Sequence, residues 1–349
     1  MISAIKKLPE PKDQTTVLKI WEGYAHKRDA AFAEIIQIAE DAPTSPVAFE
    51  ALKVLFLEPE SYDAPCFVRA LALLRMHYVR DPRIGKQIAV LGYYLPHDNE
   101  AGFQQAVGLL TAVVESNPDR NVRAQAALGL ARLAKRTFVL AESNSADDAE
   151  PLAAAAENQL EKVLRDYGEC ENLRTRGVRP ATATVRGEVE PELYELRHLR
   201  IGKPAPEIEG NDLDGAPLKL SEYRGKVNLV VFWASWCGPC MEDVPHEREL
   251  VERFKGRPFV IVGINGDEEI EAAREAVTRH TINWRSFWNG AEGAGGPIAV
   301  AWNVRGWPKV YVIDHNGVIR HKYLRGERLD GFLETIVAEA ETSANDRNK

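Results

Sequence analysis

The 349-residue chain is poor in cysteine, with only Cys66, Cys170, Cys237 and Cys240. Four thiols are too few to staple a chain of this length, so a disulfide scaffold is excluded. No run approaches the roughly 18–20 consecutive apolar residues of a membrane helix, which excludes a transmembrane segment. The opening MISAIKKLPEPKDQ lacks the apolar stretch of about 7–15 residues found in an export signal, so two readings of the compartment stay open: cytoplasmic as written, or a sequence that begins downstream of the true start. Positive charge is not in excess either. There are 44 Lys and Arg against 52 Asp and Glu, a net −8 spread evenly over both halves. Neither half is expected to bind nucleic acid or an anionic membrane. What remains is ordinary globular composition, 45% hydrophobic and 28% charged, which excludes general disorder. At about 100–200 residues per domain, the length implies two domains.

Residues 14–167 read as successive helices, with apolar residues at three-and-four spacing in CFVRALALLRMHYV, FQQAVGLLTAVV and VRAQAALGLARLAKRTFVLA. Three polar breaks carry Pro43, Pro82 and Pro118, at spacings of 39 and 36 residues. Glu40, Pro43, Val47 and Ala51 recur as Glu115, Pro118, Val122 and Ala126. Two helices per 36–39 residues is the period of a stacked helical-repeat array, and an irregular bundle fits the same pattern. Residues 168–200 are polar and punctuated by Gly and Pro, and are expected to be a linker closed by a short helix near ELYELRHLRIG.

From residue 201 strands and helices alternate. KVNLVVFWA and PFVIVGING are continuous apolar runs, as in strands buried on both faces. KVYVID and VIRHKYL flank His315, Asn316 and Gly317, where the Asn-Gly pair is expected to supply the positive φ angles of a tight hairpin. The expected organisation is an all-helical domain over 1–167, a linker over 168–200 and an α/β domain over 201–349.

The chemistry-bearing motif is Trp236-Cys237-Gly238-Pro239-Cys240, between the strand 226–234 and a helical segment. Cys237 falls at the helix N-terminus, where free N–H groups and the dipole stabilise a thiolate, so it should titrate below the free-thiol value of about 8.5. Gly238 is expected to permit the turn, and Pro239 to suit the first helical turn. Two thiols so spaced suit thiol–disulfide exchange, in which Cys237 attacks and Cys240 resolves. Half of a zinc site would share the spacing, but no second C-x-x-C or C-x-x-H exists to complete it. No metal or cofactor is expected.

In order, G-K-P-A-P, D-L-D-G, L-S-E-Y-R-G-K and F-W-A-S-W-C-G-P-C resemble the TlpA/ResA-like thiol–disulfide oxidoreductases of the thioredoxin fold. The resemblance covers roughly 201–341 and none of the helical half. It implies a mixed sheet of four or five strands flanked by helices, with a redox disulfide Cys237–Cys240. It also implies a cis-proline opposite the cysteines, Pro308, with Trp307 before it exposing backbone to an extended substrate. Trp236, Gly238 and Pro239 would complete the contact surface. The implied partners are a protein disulfide substrate and an upstream dithiol donor.

Asp243 stands where relatives often carry a glutamate, three residues after the second cysteine, and could accept the Cys240 proton. It could equally be a solvated first-turn acid. The buried aspartate of thioredoxins proper is replaced by Val231. The helical half is expected to dock substrate or self-associate. Two other readings remain: a peroxiredoxin-like peroxidase, weakened because the required hydroxyl position holds Ala234, and an interaction protein with a redox-regulated domain.

Overall fold

The structure is a computed structural model, describing residues 14–56, 65–94, 100–143, 149–173, 183–322 and 324–347. The chain folds as two compact units, the first ending at Glu190 and the second beginning at Pro191, apart from a few residues from Glu142 that group with the second.

The first unit is helical: α1 (Gln14–Asp41), α2 (Pro46–Leu55), α3 (Pro65–His77), α4 (Gly85–Tyr94), α5 (Glu100–Ser116), α6 (Arg120–Ser143) and α7 (Ala149–Tyr167), with the start of α8 (Val185–His198). Its core holds Phe32, Leu52, Phe67, Leu71, Leu91 and Leu110. The proline breaks open every second helix. Ser45 caps α2 by accepting from Ala48 N–H at 3.1 Å. Asp81 caps the 3-10 turn that leads into α4. Asp119 caps α6 through Asn121 and Val122 N–H. The breaks are stitched side by side: Tyr78 donates to the Pro43 carbonyl at 2.5 Å and Asn117 donates to the Val79 carbonyl at 2.7 Å. Such lateral bonds join neighbouring helix pairs, as a stacked array requires.

The segment 168–200, expected as linker, is structured at both described ends. Val185 N–H donates to the Cys170 carbonyl at 2.9 Å, and α8 buries Val185, Val189, Leu193 and Leu196. The helix expected near ELYELRHLRIG is thus present but begins earlier, at Val185; Pro191 and acidic neighbours interrupt the apolar spacing of its first half. Within the first unit, the Glu188 carboxylate is fully buried against Arg132 at 2.5 Å, so this part of the segment belongs to the core.

The second unit is a five-stranded sheet in the order β5 (Ser286–Trp288), β4 (Phe259–Asn265), β3 (Val227–Trp233), β6 (Lys309–Ile313), β7 (Ile319–Lys322), preceded by a hairpin of β1 (Glu209–Asn211) and β2 (Pro217–Lys219). Strands β3, β4 and β5 run parallel, while β6 and β7 are antiparallel to their neighbours. Helices α9 (Gly238–Arg253), α10 (Ile270–His280), α11 (Pro297–Ala301) and α12 (Gly326–Arg347) complete it. Leu229, Val231 and Trp233 of β3 pack with Val244, Leu250, Leu333 and Ile336. Val230 and Phe232 face the opposite layer with Trp302 and Tyr311. Burial on both faces explains the unbroken apolar run. This is the thioredoxin fold with an N-terminal hairpin.

The β6–β7 turn differs from expectation. Only Gly317 has positive φ, at 83°. Asp314 Oδ1 accepts from Asn316 and Val318 N–H, each at 2.9 Å. An Asp-capped turn ending in a left-handed glycine replaces the two-residue type I′ turn.

Candidate active site

Strand β3 ends at Trp233, the chain turns through Ala234, Ser235 and Trp236, and α9 starts at Gly238 with Cys237 as its N-cap. Cys237 and Cys240 form a disulfide, and Cys237 Sγ accepts from Cys240 N–H at 3.2 Å. Both are buried. One first-turn amide of α9, that of Cys240, thus points at the Cys237 sulfur, as it would toward a thiolate at a helix N-terminus. Cys66 and Cys170 are free, buried thiols of the first unit. Burial pushes the Cys66 thiol up, which suits an inert position.

Trp307 and Pro308, joined by a cis peptide bond, precede β6, which lies beside β3. The rings of Trp236 and Trp307 meet edge to face at 5.9 Å. Trp236 is 56% exposed, so an open indole stands next to the disulfide. Its Nε1 donates to the Gly266 carbonyl at 3.3 Å. Gly266 is required here: a Cβ on it would lie 2.5 Å from Cη2 of Trp307. Gly238 differs from expectation. Its φ is not positive, and a Cβ there would meet open space. Pro239 is exposed in the first turn of α9.

Asp243 lies one turn below Cys240 on α9, half-buried, with Oδ2 3.6 Å from Arg325 Nε. One further turn along, Glu247 is buried. Burial raises its carboxyl to about 8, the nearby Asp243 charge adds to the rise, and Arg325 opposes it. Glu247 follows Cys240 and Val244 on the buried stripe of α9, a signal present in the sequence but overlooked because the residue is acidic. Also missed was the loop after β4. Asp267, nearly fully buried, accepts from Ser235 N–H and from Ser235 Oγ, the latter at 2.6 Å.

Residues 201–322 match the AhpC/TSA family. The thiol-disulfide oxidoreductase ResA of Bacillus cereus is 28% identical over 141 residues, which cover 40% of this chain and 79% of that protein. ResA of Geobacillus kaustophilus is 28% identical over 145 residues, covering 41% and 81%. Among solved structures, the thioredoxin domain of a thiol-disulfide oxidoreductase from Bacteroides vulgatus is 28% identical. The match spans 39% of this chain and 97% of that one, with a TM-score of 0.37. The C-terminal part of the chain thus resembles the redoxin domain of thiol–disulfide oxidoreductases, and such activity is what its relatives are named for.

Proposed function

We propose that the chain reduces protein disulfides through Cys237 and Cys240. The observation that carries this reading is the Cys237–Cys240 pair at a strand-to-helix corner, with the Trp236 indole exposed beside it. In the reduced enzyme the Cys237 thiolate attacks one sulfur of the substrate disulfide and expels the other as a thiolate. Asp243 accepts the proton of Cys240, whose sulfur attacks Cys237 Sγ. The enzyme disulfide closes and the second substrate thiolate leaves. Two electrons pass from enzyme to substrate, and an upstream dithiol returns them by the reverse sequence. Trp236, Gly238, Pro239, Trp307 and Pro308 form the surface against which an extended substrate segment lies. The reducing direction follows from the Cys-Gly-Pro-Cys sequence, shared with dithiols whose potential lies near about −270 mV.

Reduction of insulin disulfides by the full chain with a dithiol donor tests the proposal. Turnover is expected, with negligible consumption of hydrogen peroxide. Peroxide turnover without insulin reduction would favour the peroxidase reading, although Ala234, which is buried, offers no hydroxyl at the position that chemistry uses.

The helical unit serves this reaction by docking the protein substrate or by self-association. Support comes from a cavity of about 600 Å³ between α5, α6 and α7, lined by Phe103, Val107, Val114, Leu130 and Tyr167. Thr111 stands exposed on its rim. Thr111→Arg should raise KM for a protein substrate several-fold and leave the rate on a small disulfide unchanged. Equal KM values for the wild type and Thr111→Arg would remove the groove from the proposal.

A further inference from the structure

Asp267 is a buried carboxylate with no catalytic or binding role so far. It follows β4 by two residues and is 2% exposed. Oδ1 accepts from Ser235 Oγ at 2.6 Å and from Ser235 N–H at 3.1 Å. Oδ2 accepts from the same N–H at 3.0 Å and from Asn265 Nδ2 at 2.7 Å. Its own N–H donates to Asn265 Oδ1, and its carbonyl accepts from Trp288 Nε1, both at 3.1 Å. Every one of these donors is neutral. A buried charge held only by neutral dipoles is costly unless each lone pair is satisfied. Here three of the four hydrogen bonds to the carboxylate come from Ser235, two positions before Cys237. The adjoining backbone is locked to the same loop. Gly266 N–H donates to the Trp233 carbonyl at 2.9 Å, and Cys237 N–H closes onto the Ala234 carbonyl at 3.1 Å. The turn 234–236, which carries the first cysteine to the helix end, is therefore clamped by the loop 265–267.

We infer that Asp267 is a positioning residue for Cys237, and that its buried charge opposes the Cys237 thiolate and so keeps the pair strongly reducing. The inference rests on the dithiol reading above. Asp243, engaged by Arg325, and the buried Glu247 follow Cys240 on α9, and Asp267 is the carboxylate bonded to Ser235 in the turn before Cys237. Its effect follows from elementary electrostatics. A negative charge in a low-dielectric setting disfavours a second one nearby, raising the thiol pKa and destabilising the reduced form.

Two full-length variants test it, with Cys237 alkylation followed against pH and the dithiol–disulfide equilibrium measured in the same samples. Asp267→Asn removes the charge and keeps the shape. The alkylation midpoint should fall, and the equilibrium should move about tenfold toward the reduced form, equivalent to ~30 mV. Ser235→Ala keeps the charge and removes its shortest donor, leaving the carboxylate field less quenched, so the midpoint should rise. Opposite shifts support the inference. Shifts in the same direction, as a loosened clamp alone would give, or midpoints unchanged in both variants, overturn it. If Asp267→Asn does not fold, Ser235→Ala decides alone: a rise supports, and no change or a fall overturns. A wild-type protein that reduces no disulfide would refute the dithiol reading itself. An active wild type with unmoved midpoints would refute only the role of Asp267.

Discussion

Cys237→Ser should lower protein-disulfide reduction by about 10³-fold or more, whereas Cys240→Ser should trap substrate as a mixed disulfide on Cys237. The asymmetry follows from position. Cys237 is the N-cap of α9, with its sulfur on the Cys240 amide, so it is the sulfur whose anion the helix stabilises. A serine alkoxide at the same site is not accessible near neutral pH. Cys240 lies inside the first turn and is needed only to resolve the intermediate. Its loss leaves attack intact and blocks release. Non-reducing electrophoresis and thiol mapping check both outcomes. Full insulin-reducing activity in Cys237→Ser would contradict the assignment of the nucleophile.

The second large effect concerns stability and pH. The ordinary carboxyl value for Glu247 is 4.5, and burial, assisted by the Asp243 charge, raises it to about 8 in the folded protein. Between those values the folded chain holds a proton that the unfolded chain has released. Stability should therefore fall as pH rises from about 4.5 and level off above about 8. At 1.36 kcal/mol per pKa unit, the full loss approaches about 5 kcal/mol. Glu247→Gln cannot ionise. It should flatten the decline, and at pH 8.5 it should be more stable than wild type by about 3–4 kcal/mol, after allowing about 1–2 kcal/mol for an imperfectly bonded amide. Urea unfolding at several pH values measures this. Parallel pH profiles for the two proteins would mean that Glu247 is ionised in the folded state.

Much of the second unit was legible because its strands are continuous apolar runs and its helix start is marked by Cys237, Gly238 and Pro239. The cis Trp307–Pro308 bond followed from the resemblance, whereas the Asn-Gly turn and Gly238 did not take the expected conformations. Short elements were harder. Strands β1, β2 and β5 have three residues each, too few to show a period. Only the second half of helix α8 was legible, because Pro191 interrupts the pattern of its first half. The candidate site was half visible. Residues with reactive side chains could be named from sequence, but Gly266 and Asp267 matter through what lies across the sheet from them, Trp307 and Ser235. No local pattern reveals a partner about thirty or more residues away. Glu247 could have been found, since an acid on the buried stripe of a helix contradicts its surroundings.

The measurement that tests the central claim most directly is the reduction potential of the Cys237–Cys240 pair, read by tryptophan fluorescence in dithiol buffers with alkylation mapping of the titrating thiols. A protein-disulfide reductase should give a value near or below about −250 mV, with Cys237 and Cys240 alone exchanging. A value above about −150 mV, or exchange confined to Cys66 and Cys170, would contradict it.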